Sequence, residues 1–124
     1  MQLTNAEEQI MKYLWKLEKA YLKNILNQFP EPKPATTTIA TLLKRMIDKQ
    51  FVGYNQHGSN REYYPLVSKE KYTKGYMNGF IKNYFSNSYK NMVSFFSKHE
   101  NLSVKEIEEI ISILQEQIDS QKKK

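Results

Sequence analysis

Thr36, Thr37, Thr38, Thr41, Lys44 and Arg45 place six hydroxyl or cationic side chains within ten positions of a 124-residue chain. A hydroxyl can meet a phosphate or a base edge, and a threonine methyl can pack on the methyl of thymine. Arg45 could reach guanine or a phosphate, and Lys44 a phosphate. Threonine is branched at Cβ and is an indifferent helix former. Four of them in the first two turns of one helix are therefore best explained by what they touch. Wound as a helix, the same stretch puts Ile39, Leu42, Leu43, Met46 and Ile47 on the opposite side, at the spacing of a core-facing stripe. The stretch alone admits two readings, a DNA-reading face or a solvated helix face.

Other chemistries find little support. His57 and His99 are the only histidines, and neither has metal-ligand or triad spacing. Glu106, Glu108 and Glu109 read as a solvated helix face rather than an acid pair. With no cysteine, disulfides, thiolate zinc sites and cysteine nucleophiles are excluded, which fits a reducing cytosol. No cofactor, metal or catalysis is expected, and a cytoplasmic protein is. The net charge of +6, with a pI near 9.4, favours a polyanionic partner or plain solubility. Residues 1–66 hold nine Lys/Arg against six Asp/Glu, and residues 67–124 ten against seven, so the excess is shared. The N-terminus carries charges inside any apolar window, so neither a signal peptide nor a membrane span is expected there.

The elements that must position the threonines follow in order. Thr4-Asn5-Ala6-Glu7 is a capping box, and Ile10, Met11, Leu14, Trp15 and Leu17 continue at helical spacing, predicting a first helix over about 5–18. Trp15 reads as core rather than as a ligand platform. A short second helix over Tyr21–Gln28 ends at the proline-rich 29–34 stretch. The third helix restarts at Ala35 or Thr36, with Thr36 the better cap by chemistry. The period then changes: residues 51–56 and 61–66 are aromatic, β-rich runs around His57-Gly58-Ser59-Asn60. Three helices and a two-stranded ribbon make the winged helix-turn-helix arrangement. Residues 1–67 are then a DNA-binding domain, with Ser59, Asn60 and Arg61 at the wing tip suited to phosphate or minor-groove contact.

From 68 to 124 the chain reads as three helices, so the whole is mainly α with a small β-ribbon. Tyr72, Tyr76, Met77, Phe80, Ile81 and Tyr84 form one stripe. Met92 and Phe96 lie on a shorter helix. Ser103 and Glu106 cap a last helix bearing Ile107, Ile110, Ile111 and Leu114. Gly75 and Gly79 either weaken their helix or admit a close neighbour. A unit this small seldom buries such wide stripes alone. A two-fold homodimer would bury them; the competing possibility is that they fold back on the winged domain.

Together these segments resemble the penicillinase repressor family, the BlaI/MecI-type regulators. The matching residues are Leu3, Thr4, Ala6, Glu7, Ile10, Met11, Leu14 and Trp15; Thr38, Ile39, Thr41, Leu42, Leu43, Arg45, Met46 and Lys49; residues 63–68; and Leu102, Ser103, Glu106, Ile107 and Ile110. The resemblance implies a homodimeric repressor that binds a palindromic operator and silences a resistance or sensor operon. It also implies that Thr38, Thr41 and Arg45 face the operator. Release through cleavage by a membrane metalloprotease sensor is implied near Phe95-Phe96. Here Gln50 stands where the family has a glycine, and Phe95 where it has an asparagine. The cysteine cluster of copper-responsive relatives is missing. The competing function is a winged-helix interaction module that does not touch DNA.

Overall fold

The computed structural model describes residues 2–123, which form two compact units, one up to Tyr76 and the other from Met77. In the first unit the capping box forms: the Glu7 amide donates to Thr4 Oγ1 at 3.2 Å and the Thr4 amide to Glu7 Oε1 at 2.8 Å, opening α1 (Asn5–Leu17). After β1 (Ala20–Tyr21) comes α2 (Leu22–Gln28). Then α3 (Thr36–Asp48), β2 (Val52–His57) and β3 (Asn60–Pro65) follow. The sheet order is β1-β3-β2, antiparallel throughout, with Tyr54 opposite Tyr63 and His57 opposite Asn60. Gly58 takes the left-handed turn position, φ 61°, between β2 and β3. At the base of the ribbon the Tyr64 ring lies on Gly53, where an added Cβ would approach it to 2.8 Å.

The core is the stripe that periodicity implies. Ile10, Met11 and Leu14 of α1 meet Ile25, and Ile39, Leu43 and Met46 of α3, with Val52 and Tyr63 from the ribbon. Trp15 packs at the edge of this core and its indole N–H donates to the Val67 carbonyl at 2.8 Å. The two-residue strand β1 is absent from the sequence-based expectation. It is too short to alternate and exists because β3 offers it an open edge, pairing Ala20 with Tyr63.

Both ends of α3 settle points the sequence left open. Of the two candidate caps Ala35 holds the position: its carbonyl accepts from the Thr38 amide at 3.0 Å and the Ile39 amide at 3.3 Å. The Thr36 hydroxyl is therefore not spent on capping. At the other end Gln50 is left-handed, φ 66°, at the position where the resemblance implies a glycine. The Gln50 amide reaches the Ile47 carbonyl and the Phe51 amide the Met46 carbonyl, both at 2.9 Å, which is a complete Schellman closure. Gln50 adopts the glycine conformation at a cost of about 1 kcal/mol.

The first turns of α4 (Lys69–Tyr84) belong to the N-terminal unit, so the division falls inside that helix rather than at residue 67. Tyr72 sits on Trp15 and Phe51 and donates its hydroxyl to Glu8. Burial, then the Glu8 hydrogen bond and charge, raise the Tyr72 hydroxyl well above its ordinary pKa, so it stays a neutral donor.

In the second unit α4 ends at the left-handed pair Ser86-Asn87 and is followed by α5 (Tyr89–His99) and α6 (Val104–Lys122). Ser88 caps α5, and Ser103 and Glu106 form the expected second capping box. Rings of Phe80, Phe85, Phe95 and His99 follow one another at 5.8, 5.6 and 4.3 Å. Neither α5 nor α6 has a buried residue. A Cβ on Gly75 or Gly79 would touch nothing, so within one chain neither glycine serves close packing.

Candidate nucleic-acid interface

The helix α3 is sharply two-sided. Ile39, Leu43 and Met46 are sealed in the core, while Thr36, Thr37, Thr38, Thr41, Lys44 and Arg45 are all exposed. Four of those six surround one shallow depression of about 290 Å³: Thr37, Thr38, Thr41 and Arg45, with Leu42 as its apolar floor. The Thr41 hydroxyl donates to the Thr37 carbonyl at 2.9 Å, one turn back. Its oxygen is thus left to accept, as it could from adenine N6 or cytosine N4, and not to donate.

At the far end of the helix this face is tied down by a part-buried ion pair. Lys49 Nζ lies 2.7 Å from Glu7 Oε1 and 3.2 Å from the Gln2 carbonyl, tying the end of α3 to the start of α1. Glu7 is fully buried and its Oε2 finds no partner among the described residues. Burial alone would raise its carboxyl pKa. The hydrogen bonds from Lys49 and Thr4, together with the Lys49 charge, outweigh that and hold it below its ordinary value of 4.5.

The wing residues Ser59, Asn60 and Arg61 are also exposed. The tip is braced from within, because Gln56 Nε2 donates to the Gly58 carbonyl at 2.9 Å and the Asn60 carbonyl at 3.3 Å. The Arg61 guanidinium stacks 4.2 Å above the Tyr54 ring, which fixes its plane while its edge N–H groups stay free to donate. His57 Nε2 lies 3.3 Å from Glu62 on the ribbon.

A larger cleft, about 800 Å³, runs between the wing and the start of α2. Thr36 joins it from α3, and Ser59, Asn60 and Arg61 from the wing. The expected residues are therefore divided between two hollows, and Lys44 lines neither. Lys23 and Asn24 enter the cleft although nothing in their spacing marked them. The signal that could have found them is β1, whose pairing with β3 draws the start of α2 up to the wing.

The residues expected to pair two copies lie mostly where a partner could reach them. Met77, Phe80, Tyr84, Phe96, Ile107, Ile110, Ile111 and Leu114 are exposed, as is Tyr76, and Met92 is half-buried. Two depart from that expectation. Ile81 is fully buried within the chain, and Tyr72 is engaged by Trp15, Phe51 and Glu8. Helical spacing identifies a stripe but not which members the chain itself covers.

Among the described residues no group of three or more His, Asp or Glu could hold a metal, and no helix is long and apolar enough to cross a membrane. The family model described as penicillinase repressor matches residues 3–116. The penicillinase repressor of Bacillus licheniformis is 26% identical over 116 residues, covering 93% of this chain and 91% of that protein. The methicillin resistance regulatory protein MecI of Staphylococcus aureus is 28% identical over 114 residues, covering 91% of this chain and 93% of that one. A solved CopR repressor structure is 30% identical with a TM-score of 0.46, covering 55% of this chain and 100% of that one.

Proposed function

We infer the mode of action of this chain from the premise that it belongs to the penicillinase repressor family, and so is a DNA-binding transcriptional repressor rather than an enzyme. Two copies bind a palindromic operator, each laying α3 in a major groove with half-sites about one helical turn apart or a small multiple of that. Thr37, Thr38, Thr41 and Arg45 face the bases; Lys44 and the wing residues Ser59, Asn60 and Arg61 meet the backbone. The observation that carries this reading is the depression on α3, where those four side chains surround one hollow on the side opposite the core. The homodimer rests on the exposed apolar residues from Met77 to Leu114. The regulated genes are a resistance or sensor operon, a reading supported by the relative described as a methicillin resistance regulatory protein, and the protein acts in the cytoplasm.

Release by a membrane metalloprotease sensor would fall at Phe95-Phe96, inside α5. No residue of α5 is fully buried in one copy, so opening that helix costs its backbone hydrogen bonds, the Phe95 ring contacts with Phe85 and His99 and, in the dimer, the contacts of Met92 and Phe96.

The test of base reading is fluorescence anisotropy on the duplex immediately upstream of the chain's own gene and on a random duplex. Arg45→Ala should weaken binding to the upstream duplex by about 1–3 kcal/mol and shrink its preference over the random one. Unchanged affinity and preference would remove Arg45 from the reading face.

A further inference from the structure

The cleft between α2 and the wing is set apart from the reading depression, and its chemistry is different. Its two charged lining residues, Lys23 and Arg61, are both cations, and no carboxylate lines it. Among the described residues the ion pairs are Lys49–Glu7 and His57–Glu62, so neither Lys23 nor Arg61 is neutralised by an acid within 4.0 Å. The polar groups between them suit an oxyanion. Thr36 and Ser59 contribute hydroxyls, and Asn60 an amide. Asn24 Oδ1 is occupied by the Tyr21 amide at 3.0 Å, which leaves the Asn24 amide to offer N–H donors. Cations without counter-ions, donors without acids and room for more than one phosphate describe a binder of sugar-phosphate backbone rather than of base edges.

We infer that Lys23 of α2 is a DNA-backbone anchor that works opposite Arg61 across this cleft, so that one strand is gripped between the wing and α2. The inference rests on the reading that the chain binds DNA, and assigns the cleft a part in it that carries no sequence information. The wing is then one wall of a clamp and not a free arm. Bracing by Gln56 and stacking of Arg61 on Tyr54 give that wall a fixed shape before DNA arrives.

The experiment compares wild type, Lys23→Ala, Lys23→Arg and Lys23→Ala with Arg61→Ala. Each is titrated into the upstream duplex and a random duplex of the same length across a salt series. Lys23→Ala should weaken both duplexes by the same factor, about three- to tenfold, and reduce the slope of log affinity against log salt by about one. Lys23→Arg should restore most of the loss, and the double variant should lose about two from the slope. Lys23 is exposed, so thermal melts of the wild type and the two single Lys23 variants should coincide. Wild-type affinity and slope in Lys23→Ala would overturn the anchor, as would a loss confined to the upstream duplex. Failure of the wild type to bind either duplex at low salt would instead overturn the DNA reading itself, and the anchor with it.

Discussion

The two units solve the burial of apolar surface in opposite ways. Up to Tyr76, three helices and a ribbon enclose a core whose central residues are inaccessible to water, and even its buried carboxylate has a cation. From Met77 onward Ile81 alone among the described residues is fully buried, while Phe80, Phe95, Ile107, Ile111 and Leu114 stay between 39% and 58% exposed. Among the described residues of the first unit the large exposed apolar ones are Tyr54, Leu66 and Tyr76. One unit is complete as it stands. The other leaves an apolar face uncovered within one copy, which is what the proposed pairing of two copies would use.

The same truncation in the two units exposes the difference most strongly. Leu43→Ala, in the sealed core of α3, should cost about 2–5 kcal/mol in urea unfolding. Leu114→Ala should leave the unfolding of the first unit within about 0.5 kcal/mol of wild type and instead weaken self-association by about 1–2 kcal/mol. Equal losses of folding stability would erase the distinction between the units.

A smaller effect is expected at the ion pair that belongs only to the closed unit. Glu7→Gln leaves the Lys49 ammonium without its counter-charge and should cost about 2–3 kcal/mol near neutral pH. The Glu7 carboxyl titrates lower folded than unfolded, so its contribution is fully present above the ordinary value of 4.5 and is lost as pH falls through the depressed folded value. The wild type should therefore lose stability on that acid limb, and Glu7→Gln should show a flatter one. Parallel acid limbs would mean that Glu7 is not the titrating group.

Smallest of all is Gln50→Gly, which relieves the left-handed strain at the end of α3 and should raise stability by about 1 kcal/mol while leaving duplex affinity unchanged. A loss of stability would show that the Gln50 side chain does more than tolerate its backbone.

Legibility in the sequence follows the same division. Local signals were readable: the 3.6-residue stripe of α3, both capping boxes and the aromatic, β-rich runs either side of the 57–60 turn each placed an element near its observed limits. The exposed face of α3 was readable for the same reason, because its opposite face had to be apolar. What escaped depends on contacts between distant segments. A two-residue strand has no period, so β1 was invisible, and with it the approach of Lys23 to the wing. The choice of Ala35 over Thr36 as the cap was left open because it turns on a backbone carbonyl that side-chain preference does not register. Tyr72 carried the signature of the second unit's stripe and was claimed by Trp15 and Glu8 of the first.

If the closed unit reads DNA and the open one pairs two copies, as proposed, one quantity is decisive, the number of chains on one duplex. Sedimentation equilibrium of a labelled upstream duplex with the full 14.7 kDa chain should give a complex of duplex plus two chains, with no singly loaded species accumulating. A complex that saturates with a single chain, or a duplex that sediments unaccompanied at low salt, would contradict the account.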